Sequence, residues 1–194
     1  IVMGWQWGGG WLASIGFSDF AGSTLVHSTG GAAALAGALI LGPRLGRFTK
    51  SGAPAPIKPF AASSIPLVTL GVFVLWLGWF GFNGGSQLAI ASFADAVAIS
   101  SIFINTNLAA CGGVLAAAIT TRLMFGKTDV IQMLNGAIGG LVAITAEPLA
   151  PSPLAAILIG AIGGVIVVFG TKLLFSFKLD DVVGAIPAHM FAGI

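Results

Sequence analysis

The stretch LAPSPLAAILIGAIGGVIVVFGT, residues 149–171, holds no charged side chain. A helix of about 20 apolar residues crosses the roughly 30 Å hydrocarbon core of a bilayer, so this stretch reads as a transmembrane helix by length and polarity. Strands of a membrane barrel would alternate polar and apolar positions over segments of about ten residues, and no such alternation is present. Working outward, the charged residues bound four more uncharged segments at 20–42, 60–82, 96–121 and 130–146, the last short at 17 residues. A sixth begins after Asp181 and is still apolar at Ile194, and residues 1–18 read as the end of an earlier span plus a glycine-rich loop. With no basic segment or cleavage site after Ile1, the chain reads as one domain, 1–194, cut at both ends from a larger all-α, polytopic membrane bundle.

Composition excludes the other classes. Of 194 residues only 8 are Lys or Arg and 6 Asp or Glu, a charged fraction of 7% against roughly 25% in soluble domains. Hydrophobic residues make up 57%, and the mean hydropathy is +1.03. That is too little polarity to cover a water-facing surface, so lipid is the solvent for most of the chain. Eight scattered basic residues form no patch for nucleic acid, whatever the net charge of +2 suggests. The lone Cys111 permits no internal disulfide and reads as a packing residue.

Position says more than number. Arg44, Arg47, Lys50 and Lys58 separate the first two spans, Arg122 and Lys127 the third and fourth, Lys172 and Lys178 the fifth and sixth. Short loops that keep Lys and Arg lie in the cytoplasm, so the first span runs from outside to inside and the rest alternate consistently. Small residues mark the packing seams: the pentapeptide GAIGG occurs at 136–140 and again at 160–164, and Gly30, Gly31, Ala34 and Gly37 give a third small face.

Two histidines fall inside spans. His27 lies 8 residues after Asp19 and His189 lies 8 residues after Asp181, in spans of opposite direction. Each stands about 12 Å from its own end, which in a core of about 30 Å leaves them about 6 Å apart in height. An Asp-x7-His unit entering from each face is what an inverted repeat with a midplane site would leave. Imidazoles in hydrocarbon line a path or pair with one another, and two neutral rings could share a proton through Nδ1. The alternatives are a buried His bonded to a hydroxyl or carbonyl, or a metal site. The spans offer no third or fourth ligand, so no metal is assigned. No nucleophile, base and orienting group are grouped either, so the chain does not read as an enzyme and no cofactor is expected.

Asp19 and Asp181 suit helix N-termini, where a carboxylate meets free N–H groups, although Asp19 could also attract a cation. Pro187 is expected to kink or unwind the sixth span and expose carbonyls beside His189. Trp7, Trp11, Trp76, Trp79, Phe80 and Phe82 gather toward the outer side as an interfacial belt. Phe82 with Asn83 and Ser86 could instead form a cation–π vestibule for an ammonium-sized ion.

The run Asp19-Phe20-Ala21-Gly22-Ser23-Thr24-Leu25-Val26-His27, continuing to Leu41-Gly42-Pro43-Arg44, resembles the signature of the ammonium transporter family (Amt/Mep/Rh). Trp7-Gly8-Gly9-Gly10, the run Gly78 to Ser86, and Asp180-Asp181 followed by His189 agree with it in order. The resemblance implies nitrogen uptake by a homotrimer with about eleven spans per protomer in two inverted halves, of which this chain would hold the fifth to most of the tenth. It implies that His27 and His189 are the pore histidines and Trp79 a pore-lining tryptophan. Trp7, Phe82 and Ser86 would belong to the recruitment site and gate, with Asp19 supporting that site without contact. Its implied partners are ammonium or ammonia, methylammonium as analogue, the lipid of a plasma or inner membrane, and a PII-type signal protein on the cytoplasmic face. Where some members carry a further Asp, this chain has Gly184. An ammonium sensor of the same fold and an Rh-like gas channel are the neighbouring readings. An unrelated pore is less consistent, since the chain lacks an Asn-Pro-Ala pair and has no Tyr for a potassium filter.

Overall fold

A computed structural model of the chain describes residues 1–48 and 60–194. Every regular element among them is helical. Two short helices, Val2–Gln6 and Trp11–Ser14, precede α1 (Ser23–Leu41), α2 (Ile65–Gly85), α3 (Phe93–Phe125), α4 (Val130–Ile144) and α5 (Pro153–Ser176). A single π-helical turn, Ile186–Phe191, follows. The first six residues of α1, Ser23–Ser28, also wind as a π-helix.

Local chemistry sets the helix starts. Ser64 caps α2 by accepting from Leu67 N–H, Ser152 caps α5 by accepting from Ala155 N–H, and each helix carries a proline in its first turn, where a missing N–H is harmless. Ser92 and Asp95 form a reciprocal capping box on α3, and Asp129 accepts from Ile131 and Gln132 at the start of α4. These caps explain the differences from the expected segments. Asp95 and Arg122 lie inside α3 as its first-turn and last-turn charges, so a helix expected over 96–121 runs for 33 residues, about 50 Å. Lys172 likewise lies inside α5.

α1, α2, α3 and α5 are long and apolar enough to cross a membrane. The expected fourth span is shorter than that: α4 has 15 residues, about 22 Å, and is buried along most of its second half between α3 and α5. These three helices touch backbone to backbone. A methyl on Gly113 would strike the Gly136 carbonyl, one on Gly160 the Ala109 carbonyl, and one on Gly163 the Gly139 carbonyl. Both GAIGG repeats are therefore packing seams, as small faces in lipid should be. The third small face is used at Gly31, which lies against the backbone of Met190; Gly30 and Gly37 meet open space. Cys111, next to the seam glycines, is exposed rather than packed.

The helices alternate in direction. At one end, Thr171 of α5 donates to Gln132 of α4, Asp129 N–H donates to Thr121 of α3, and Phe48 after α1 meets the edge of Phe175 of α5. Arg44, Arg47, Arg122, Lys127, Lys172 and Lys178 all belong to this end; Lys50 and Lys58 lie outside the described residues. Its centre is Asp180. Arg44 grips that carboxylate with Nε at 2.7 Å and Nη2 at 2.8 Å, adds its backbone N–H at 3.0 Å, and Arg47 Nε follows at 3.1 Å. The two guanidinium groups also lie over Phe60, 4.9 and 5.7 Å from its centroid. The Arg44 side chain, in first place, holds the Asp180 carboxyl well below the usual range, to about 2, and Asp180 in turn raises Arg44.

Two outcomes follow from this packing. Gly160→Ala is expected to lower stability by about 1–3 kcal/mol, the usual cost of overpacking, read as the thermal midpoint in detergent; an unchanged midpoint would show that α3 and α5 are not in backbone contact. Because the Asp180 pKa is depressed on folding, its ion pair adds stability above the unfolded pKa and loses it as pH falls toward the folded one. The stability gap between the parent and Asp180→Asn should therefore stay level above about pH 5 and close between about pH 4 and 2.

Candidate functional site

Two short runs share one pattern, D-x-x-G-x4-H: Asp19, Gly22 and His27 in one, Asp181, Gly184 and His189 in the other. In both, the carboxylate collects the free N–H groups of the turn that carries the histidine. Asp19 accepts from Gly22, Ser23, Thr24 and Leu25, each at 2.9 Å. Asp181 accepts from Gly184 and Ala185 at 3.0 Å and from Ile186 at 2.8 Å. Gly22 (φ 109°) and Gly184 (φ 77°) take the left-handed conformation that lets the chain fold back over the carboxylate. A methyl on Gly22 would also strike the Val26 side chain and crowd the tip of the Trp7 ring.

The turns then wind wide. His27 N–H bonds back to the Gly22 carbonyl and Ala192 N–H to the Pro187 carbonyl, each five residues earlier. Pro187 sits in the first turn, so it breaks no bond there. The carbonyl four residues before it, that of Val183, accepts from Asn135 Nδ2 at 3.1 Å, and across the two turns Thr24 Oγ1 donates to Gly193 O at 2.7 Å and Ser28 Oγ to Met190 O at 3.3 Å. These cross-bonds press the two turns together. His27 Nδ1 and His189 Nδ1 stand 3.2 Å apart, with ring centroids at 5.2 Å and planes 30° apart. That is hydrogen-bond distance, and the tautomer of each ring decides which nitrogen donates.

Against the other side of His27 lies α2. Trp79 stacks on the imidazole at 4.9 Å and 19°, and Phe82 tilts over it at 5.2 Å. His27 Nε2 is buried in this aromatic setting with no hydrogen-bond partner among the described residues. From His189 a cleft of about 600 Å³ opens toward the basic end between α2 and α4; Val72, Leu75 and Ile138 line it, with Asn135 as a polar wall group. Among the described residues no group of three or more His, Cys, Asp or Glu stands close enough to hold a metal ion.

The remaining candidates are placed differently. Trp7 donates its indole N–H to the Asp19 carbonyl at 2.8 Å, and the Ser86 hydroxyl donates to the Phe82 carbonyl at 2.8 Å. Trp7 is 45% exposed and Phe82 39%, and no hydrogen bond or ring contact among the described residues joins Trp7 to Phe82 or Ser86. Of the aromatic belt, Phe80 packs on Phe103 and Trp11 on Trp5.

Sequence reasoning missed a buried chain of polar groups behind Trp79. The Trp79 indole donates to Thr145 Oγ1 at 2.8 Å; that hydroxyl shares its proton between Leu141 O at 2.6 Å and Asn83 Oδ1 at 3.2 Å. Asn83 then donates to Thr106 at 3.0 Å. The Thr145 carbonyl accepts from Ala21, inside the loop that starts the His27 turn. The equal Asp-to-His spacings are legible in the sequence, whereas the matching glycines at 22 and 184 stand out only once the two turns are compared, and Thr145 carries no motif at all.

The model of the Ammonium Transporter Family matches residues 1–194. Ammonium transporter Amt2 of Archaeoglobus fulgidus is 45% identical over 199 residues, a match that covers 97% of this chain and 41% of that protein. A solved structure described as a sensor Amt protein superposes with a TM-score of 0.86 at 38% identity, over 95% of this chain and 44% of its own. Mep2 of Candida albicans does so with a TM-score of 0.84 at 31% identity, over 99% and 41%. The chain thus spans about two fifths of the length of the relatives it matches.

The carboxylate caps have a measurable weight. Each buried N–H left unpaired costs about 1–3 kcal/mol, so Asp19→Ala and Asp181→Ala should each lose at least about 2 kcal/mol, with Asp19→Ala the worse. Thermal unfolding of the purified variants checks this; an Asp19→Ala variant as stable as its parent would remove the cap from the account.

Proposed function

Since this chain belongs to the ammonium transporter family, with the family match running over its whole length, we propose that the protein conducts ammonium across a membrane as neutral ammonia. Family and helix lengths together make it part of a multi-pass membrane protein. The observation that carries the proposal is the joined imidazole pair of His27 and His189, set in apolar surroundings under the Trp79 and Phe82 rings.

In this reading the ammonium ion is recruited at Trp7, Phe82 and Ser86, where exposed aromatic faces and a hydroxyl oxygen attract a small cation. Asp19 supports that site through the backbone it holds and the carbonyl that Trp7 binds. The ion gives up its proton near Phe82, because a bare charge in a narrow apolar passage costs far more than neutral ammonia. Ammonia passes Trp79, His27 and His189 into the cleft below, and the released proton travels along the Nδ1-linked imidazoles. The basic end faces the cytoplasm, in keeping with the retention of Lys and Arg on that side. A homotrimer in the plasma or inner membrane, with a PII-type protein on the basic face, completes the proposal.

A second reading draws on the likeness to the sensor Amt protein: the same site binds ammonium and signals through a partner. The test is methylammonium and ammonium uptake by the full-length protein with His27→Ala and His189→Ala. Loss or altered selectivity in either supports the passage, and unchanged flux and selectivity in both overturns it. Binding without uptake in the parent favours the sensor.

A further inference from the structure

Trp79 is buried to 94% and stacks almost flat on His27, so the position of its ring sets the free space beside that imidazole. Its indole N–H donates to Thr145 Oγ1 at 2.8 Å. Thr145, Asn83 and Thr106 are fully buried, and their bonds come from three helices: α2 supplies Trp79 and Asn83, α3 Thr106, and the end of α4 Thr145. Thr145 acts twice. Its hydroxyl holds the ring above His27, and its carbonyl holds Ala21 in the loop that leads into the His27 turn. The ring stacked on the imidazole and the loop that leads into the His27 turn are thereby both tied to a single residue, for which no hydrogen bond to either histidine is found among the described residues.

From this geometry we infer that Thr145 is a positioning residue that sets discrimination between ammonium and its methylated analogues, acting through Trp79. The inference rests on the transport reading above. Valine has nearly the shape of threonine but lacks the hydroxyl, so Thr145→Val leaves the indole N–H and Asn83 Oδ1 unpaired and the ring free to turn. A gap loosened beside His27 admits an added methyl group with less penalty. Serine keeps the hydroxyl.

The experiment measures uptake of ammonium and of labelled methylammonium by the full-length protein, and takes their ratio in the parent, Thr145→Val, Thr145→Ser, Trp79→Phe and the double variant Thr145→Val/Trp79→Phe. A packed site discriminates over one methyl group by roughly tenfold or more, and Thr145→Val is expected to reduce the ratio by a factor of about three. Thr145→Ser should keep the parental ratio, and Thr145→Val should add nothing once Trp79 is Phe, the signature of action through that ring. A parental ratio in Thr145→Val, or a shift that persists in the Trp79→Phe background, overturns the inference. If Thr145→Val does not yield folded protein, Thr106→Val, which loosens Asn83, takes its place with a smaller expected shift in the same direction; an unchanged ratio there overturns it equally. A parent that takes up neither compound overturns the transport reading itself and the inference with it.

Discussion

A backbone N–H that opens a helix inside hydrocarbon has no water to turn to, and everything at the centre of this bundle follows from how two carboxylates answer that need. Asp19 satisfies four such groups and Asp181 three. With its opening N–H groups secured, each turn can wind wide, and the wide turn places its histidine inward at the level of the other. The cross-bonds from Thr24 and Ser28 then have carbonyls to reach. The imidazole contact is the last member of this series, and it depends on every bond before it.

The bundle is held together in two ways. α3, α4 and α5 meet through glycines, with backbone against backbone and little side chain between. α1 and α2 join them through apolar packing, with Val72 and Trp79 in the core and Phe80 on Phe103, and through polar groups of the site: Ser23 donates to the Val142 carbonyl of α4, and Trp79 and Asn83 reach Thr145 and Thr106. Close packing and interhelical hydrogen bonds of this kind together hold helices in lipid, which supplies no hydrophobic driving force between them. The bonds that shape the candidate passage are thus also those that attach its two lining helices to the rest.

How much of this the sequence disclosed depends on whether the deciding interaction is local. The uncharged run at 149–171 became α5 shifted by a few residues, because Ser152 and the proline after it fix the start and Lys172 can ride within the last turns. Segments bounded by charges were misjudged for α3, whose Asp95 is a cap inside the helix rather than a boundary before it. The equal Asp-to-His spacings were visible because each is a short-range unit repeated. Pro187 falls where the chain departs from α-helix, as expected, but in the first turn of a π-helical segment rather than in mid-span, a difference the sequence does not show until the turn is placed. Thr145 stayed hidden for a different reason: its partners at Trp79 and Asn83 are more than sixty residues away, and a threonine after an apolar helix is ordinary.

Asp180 and Asp181 are neighbours in the chain that face unlike partners, one the two arginines and the other the backbone of the His189 turn. Such a pair works as a pawl. Slipping the strand by one residue would swap an ionic partner for a helix start and satisfy neither, so the chain is indexed here to a single notch. Eight residues lie between Asp180 and His189, all of them taken up by the capped turn and its lead-in, so the ionic cluster and the imidazole stand at the two ends of one short segment.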